Sequence, residues 1–105
     1  MPPIVIAEHP AGRGVVCLGV SGELDLATAP DLEEAVATAA TRPGVHEVVI
    51  QLAGLSFLDA SGIAALSRAR TAAAGAGVLV RAEGARGVAA RVLMLTGVGE
   101  WLGGR

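Results

Sequence analysis

Aromatic side chains are almost missing from this chain, with one Phe, one Trp and no Tyr in 105 residues. A hydrophobic fraction of 52% must therefore come from Val, Leu, Ile and Ala, which form the core of any fold the chain adopts. Cysteine is reduced to Cys17. One thiol excludes an internal disulfide and a cysteine-based metal set, and its place in an apolar strand-like run reads as a small buried filler. Lysine is absent, so all eight basic residues are Arg; against ten acidic residues they leave a formal charge of −2. That balance carries no electrostatic footprint for nucleic acid, and the arginines do not cluster on any predicted face.

Long apolar runs are missing too. Charges and glycines interrupt every hydrophobic segment before it reaches the length of a membrane span, so no direct membrane insertion is expected. The start, Met1-Pro2-Pro3-Ile4, has neither the basic residues nor the apolar stretch of a secretion signal, and the expectation is a cytoplasmic domain. A length of 105 residues fits a single domain over 1–105. His9 has no second His or Cys at metal-binding spacing, and no Gly-x-x-x-x-Gly-Lys loop is present for nucleotide phosphates. Neither a metal nor another cofactor is expected.

What is present is a regular alternation of elements. Ile4 to Ala7 and Val15 to Val20 predict two strands joined by a turn-like Glu8 to Gly14, an antiparallel hairpin with His9 in its exposed turn. Ser21 to Asp25 leaves the second strand. Thr28-Ala29-Pro30-Asp31 reads as a helix start, with a Thr cap, Pro in the first turn and an acid three positions after the cap. This helix runs from Ala29 to about Thr41 with Leu32, Ala35, Val36 and Ala39 inward, and Arg42-Pro43-Gly44 stops it. Val45 to Leu52 is a third strand with His46 near its start. A helix opening near Ser61 directs Ala64, Leu66, Ala69 and Ala73 inward and ends at Gly75-Ala76-Gly77. Val78 to Ala82 is a fourth strand, and a last helix from about Arg86 to Leu95 carries Val88, Val92 and Leu95 on one side. Thr96 to Gly99 breaks it, and Trp101-Leu102 is expected to dock on the core.

The order β-β-α-β-α-β-α predicts an α/β fold. Strands separated by helices run parallel, and such crossovers are right-handed in ~98% of cases. The expected architecture is a four-stranded mixed sheet, its first strand antiparallel and the rest parallel, with the helices mainly on one face. Ligand sites in such sheets gather at the carboxyl ends of the strands. The loop after strand two carries Glu23, Asp25 and Thr28; the loop after strand three carries Ser56, Asp59 and Ser61; the loop after strand four carries Glu83. These should converge on one rim with Ser61 at its centre.

Asp59-Ala60-Ser61-Gly62 is a short polar turn between an apolar strand and an Ala-rich helix. Residue physics by itself favours the plain reading, in which Asp59 and Ser61 cap the helix. Ser61 would also present its hydroxyl where unpaired amides and the helix dipole attract negative charge, a place suited to a phosphate. Catalysis is poorly supported. Ser61 lacks the Gly-x-Ser-x-Gly frame of a nucleophile elbow, and His9 and His46 are expected at the opposite end of the sheet. Asp25 and Asp59 as an acid/base or cation-binding pair are a weak signal.

Three segments, Gly22-Glu23-Leu24-Asp25, Leu55-Ser56-Phe57-Leu58-Asp59-Ala60-Ser61-Gly62 and Leu95-Thr96-Gly97-Val98, resemble in order and spacing the landmarks of STAS domains, most closely those of bacterial anti-sigma factor antagonists. The resemblance covers nearly the whole chain. It implies a protein-binding switch in transcription regulation and not an enzyme. Such proteins bind an anti-sigma factor that is a serine kinase, and so free a sigma factor. The kinase phosphorylates the serine just before the Gly of Asp-Ser-Ser-Gly, the modified protein lets go, and a metal-dependent serine phosphatase restores it. By position, the resemblance makes Ser61 the phosphoacceptor and matches Asp59 and Asp25 to acids of the family. The expected partner-binding region is Asp25, Thr28, Asp59, Ala60, Ser61 and Gly62, and the topology adds Glu23, Ser56 and Glu83 as further rim contributors. Ala60 departs from the pattern by replacing the first serine of the pair, and many relatives continue further beyond the point corresponding to Trp101. Two other readings differ in class: an accessory or scaffold subunit of a membrane transport or signalling complex, whose Ser61 is never modified, and a small-nucleotide-binding domain, against which the acidic rim and the missing Gly-rich loop count.

Overall fold

Alternating residues set the sheet. In β2 (Val15–Leu24), Val16, Leu18 and Val20 are buried on one face while Cys17 and Gly19 point the other way and are half-buried. In β3 (Glu47–Leu58), Val48, Ile50 and Leu52 extend the same buried row, and Val80 and Ala82 of β4 (Leu79–Glu83) complete it. These side chains meet the inward faces of α1 (Ala29–Ala40) and α2 (Ala60–Gly75), which pack on each other and on the central strands. The computed structural model describes residues 3–96, and its remaining elements are β1 (Ile4–Pro10) and α3 (Gly87–Thr96).

The sheet order is β1-β2-β3-β4, with β1 antiparallel to β2 and the other two pairings parallel. This is the expected mixed α/β architecture. Helix α3 contacts β3 and adds Ala89 and Leu93 to the same core cluster. On the opposite face Arg81 donates across the β3–β4 pairing to Glu47 (2.5 Å) and along its own strand to Glu83 (2.8 Å). Hydrogen bonds to those two carboxylates, Glu47 first, raise the Arg81 pKa.

Several boundaries differ from expectation, each for a physical reason. β1 runs on to Pro10, so His9 lies in the strand opposite Cys17 and not in the turn. Cys17 is half-buried on the face away from the core and is not a fully buried filler. The third strand starts at Glu47, because the amides of His46 and Glu47 both donate to the Gly14 carbonyl (2.8 and 3.2 Å) and hold Val45-His46 in the connection.

The largest difference is at the other end. β2 continues to Leu24 and β3 to Leu58, paired Glu23 to Phe57 and Leu24 to Leu58 through two register shifts, between Gly19 and Ser21 and between Gly22 and Glu23. Gly22 takes a φ of 101° there, in the region that favours glycine. The extension buries Leu24, Leu55 and Leu58, each contributing about 1.5–3 kcal/mol over an exposed side chain. Irregular register breaks the two-residue alternation, and the segment reads as loop in the sequence. In the helices Leu32, Val36, Ala39, Leu66, Ala69 and Ala73 are buried as expected, while Ala35 and Ala64 are only partly so. Val92 packs against the core. The side chains of Val88 and Leu95, the break at Gly97-Val98-Gly99 and the docking of Trp101-Leu102 lie outside the described residues.

Candidate functional site

Asp59 leaves β3 in extended conformation (φ −125°, ψ −172°), and its Oδ1 accepts from the Gly62 amide at 3.0 Å. The Ile63 amide donates to the Asp59 carbonyl at 3.0 Å and closes the first turn of α2. Asp59 therefore caps this helix by itself. Ser61 is not a cap; it is the second residue of α2, half-buried, with its hydroxyl in the turn where backbone amides lack helical partners. Ala60 before it is exposed.

Gly62 fixes where that turn sits. A Cβ added to Gly62 would lie 2.5 Å from the Leu24 carbonyl oxygen and 2.7 Å from Leu58 Cδ1, both closer than real contacts allow. Only glycine lets the start of α2 abut the end of β2. Gly62 is itself buried, so its part in the site is to position Ser61 beside the loop that follows Leu24.

That loop is rigidly tied. Asp25 Oδ1 accepts from the amides of Ala27 (3.0 Å) and Thr28 (3.1 Å). Thr28 Oγ1 accepts from the Asp25 amide (3.0 Å) and is within donating distance of the Glu23 carbonyl (2.8 Å) and Asp25 Oδ1 (3.2 Å). Thr28 is 2% exposed. Two expectations are corrected here. Thr28 holds the N-cap position without a side-chain capping bond, because its hydroxyl is taken by the preceding loop. Buried as it is, Thr28 offers no surface for contact, and its hydroxyl orders the Asp25 loop instead.

A rim serine at the start of a helix, abutting a carboxylate-ordered loop at the carboxyl ends of parallel strands, is the arrangement in which the sequence comparison acquires meaning. The STAS domain family matches residues 7–103. This chain belongs to that family.

The STAS domain described here is 43% identical over 44 residues to an anti-sigma-B factor antagonist of Staphylococcus epidermidis, a match covering 42% of this chain and 40% of that protein. The chain thus aligns with less than half the length of that relative. A solved anti-sigma factor antagonist from Mycobacterium paratuberculosis is 30% identical with a TM-score of 0.74, covering 92% of this chain and 80% of that one. The unphosphorylated form of the anti-sigma factor antagonist SpoIIAA superposes with a TM-score of 0.76 at 20% identity, over 92% and 84% of the two chains; at that identity the likeness is one of fold.

Within this STAS domain the remaining rim residues separate. Ser56 is exposed in β3, and its Oγ donates to the Gly22 carbonyl at 3.2 Å across the irregular pairing. Glu23 is exposed in β2 opposite Phe57. Both therefore belong to strands and not to the loops where they were expected. Glu83 is set back from the cluster. It pairs with Gln51, whereas β3 continues to Leu58, roughly 20 Å further along the strand. Glu83 is also engaged by Arg81. His46 lies at the far end, its Nε2 3.2 Å from the Arg13 carbonyl, and His9 is paired beside that end.

Two rim residues escaped the sequence reading. Leu26, inside the loop ordered by Asp25, is 77% exposed, and Phe57 is 43% exposed. For Phe57 a signal existed: the chain has a single Phe, and it immediately precedes the Leu58-Asp59 turn.

Proposed function

We propose that this STAS domain is an anti-sigma factor antagonist whose affinity for its partner is set by phosphorylation of Ser61. Unmodified, it binds an anti-sigma factor serine kinase and frees a sigma factor; a serine phosphatase acting on phospho-Ser61 reverses the release. The observation that carries the reading is the placement of Ser61 on the first turn of α2, beside the Asp25 loop, in a chain of this family. The partner-binding region comprises the turn Asp59-Ala60-Ser61-Gly62 and the Asp25 loop, with Glu23 and Ser56 at its border.

The chemistry supports a switch that needs no refolding. A phosphoserine carries about −1.5 to −2 charge at pH 7. In a desolvated interface, each like-charge pair of unit charges ~6 Å apart costs about 2–3 kcal/mol at an effective dielectric of ~20. Asp25 and Asp59 supply such charges, and the start of α2 offsets part of the cost for the free protein. Since ~1.4 kcal/mol is tenfold in affinity, one phosphate suffices to release a partner. Binding, and not catalysis, is the role this supports.

The test is incubation with ATP and purified anti-sigma factor kinases of the source organism, followed by mass-spectrometric location of the phosphate. Phosphate is expected on Ser61. Ser61→Ala should bind the kinase without accepting phosphate, and Ser61→Asp should fold normally and lose binding. Phosphate found mainly on Ser56 or Thr28, or equal kinase binding by Ser61→Asp and the unaltered protein, would overturn the reading; the second result would favour an unmodified scaffold.

A further inference from the structure

The described residues leave four large hydrophobic side chains exposed: Val5 (47%), Leu26 (77%), Phe57 (43%) and Leu79 (58%). Val5 lies on the edge strand β1, and Leu79 opens β4 at the amino end of the parallel strands. Leu26 lies in the loop that follows β2 and Phe57 near the end of β3, the two strands whose ends meet the start of α2. Phe57 sits two residues before the cap Asp59 and pairs with Glu23. Leu26 follows closely on Leu24, whose carbonyl faces Gly62.

Phe57 is the sole phenylalanine of an aliphatic protein, and it stands at the surface and not in the core. Aromatic residues are enriched at the centres of protein interfaces, where their large area is desolvated. Leu26 is no floppy tip, because Asp25 and Thr28 lock the loop that carries it. Phe57 is held in the sheet. Both are therefore pre-ordered, which lowers the entropy cost of placing them in a partner.

The charges around them are of one sign. Glu23, Asp25 and Asp59 form no ion pair among the described residues, and Arg81, held by Glu47 and Glu83, is set back along the strands from them. From this we infer that Leu26 and Phe57 are the apolar anchors by which the domain docks its protein partner, and that the partner surface has an apolar socket bordered by Arg or Lys side chains. The inference rests on the proposed switch and adds the chemistry of the face that Ser61 controls. On this reading a phosphate at Ser61 would bring charge to a face whose apolar anchors bind only when dehydrated.

The experiment uses the kinase shown to phosphorylate Ser61 and measures its affinity for the full chain and for Leu26→Ser, Phe57→Ser, Val5→Ser and Leu79→Ser, with melting of each followed by circular dichroism. Leu26→Ser and Phe57→Ser should each weaken binding at least tenfold while melting within a few degrees of the unaltered protein. Val5→Ser and Leu79→Ser should bind as the unaltered protein does. Affinity of the unaltered protein should fall as salt is raised, from loss of the acidic-to-basic attraction. Binding by Leu26→Ser and Phe57→Ser within twofold of the unaltered protein, with Ser61 still phosphorylated, overturns the anchors and leaves the switch standing. Absence of any kinase that binds or modifies the unaltered protein overturns the switch itself, and the anchors with it. Should Phe57→Ser melt early, Phe57→Leu, which keeps an apolar side chain of smaller reach, takes its place with a reduced loss expected.

Discussion

The Gly62 backbone and the Leu24 carbonyl stand so close that a methyl group cannot be inserted between them, and this approach joins the two halves of the rim. Helix propensity argues the other way, since Gly to Ala inside a helix ordinarily stabilises by roughly 1 kcal/mol. At Gly62 the added Cβ meets a backbone oxygen and the buried Leu58, and overpacking of this kind costs about 1–3 kcal/mol. Gly62→Ala should therefore be less stable than the unaltered protein in urea denaturation, and should accept phosphate on Ser61 more slowly because the turn is displaced. An equal or higher denaturation midpoint would show that the contact yields.

Asp59 and Ser61 are two residues apart and have different work. Removing the cap by Asp59→Ala should cost about 0.5–2 kcal/mol. Ser61→Ala should cost no more than about 0.5 kcal/mol, as is usual for surface positions that make no special contact. Chemical denaturation of the two variants side by side separates them, and equal losses would mean that the serine shares in capping.

Helices α1 and α2 are tied at the surface by Arg68, which donates to both oxygens of Glu33 (2.8–3.2 Å). The hydrogen bond from Arg68 holds the Glu33 carboxyl below the usual glutamate range. A carboxyl lowered in the folded state stabilises fully above its unfolded pKa, about 4.3, and that contribution is lost as pH falls through the folded value. Glu33→Gln should melt slightly below the unaltered protein at pH 7, and the gap should close as the pH is taken below about 4. Because the pair is exposed, added salt should narrow the gap at pH 7 as well. A gap that widens in acid would contradict the assignment.

Where the chain is regular, its fold can be read directly. Alternating Val, Leu and Ile in Val15 to Val20 and Val48 to Leu52, apolar residues at helical spacing in Ala29 to Ala40, and Gly-Pro punctuation between them correspond to β2, β3 and α1. The site was legible as a neighbourhood for a similar reason: parallel strands bring their carboxyl ends together whatever their side chains. Reading failed where pairing departs from alternation. Gly22 and the register shifts beside it hide the ends of β2 and β3, so that Glu23 and Ser56 read as loop residues and Phe57 goes unnoticed. The reach of each strand was hidden too, which is why Glu83 was grouped with residues it does not join.

The division between chain and fold is clearest at Asp59-Ala60-Ser61-Gly62. By itself the sequence determined that a helix begins there, because a polar side chain beside free amides is a local matter settled within four residues. It also determined, through the strand and helix order, that the turn lies at the carboxyl edge of a mixed sheet. Only the tertiary structure decided which residue caps, since that depends on the extended backbone Asp59 inherits from β3. It decided as well that Thr28 is spent inside the protein and that Leu26 and Phe57 are left outside. Exposure is a property of what packs against a residue, and the packing partners of this rim come from segments more than thirty residues apart in the chain.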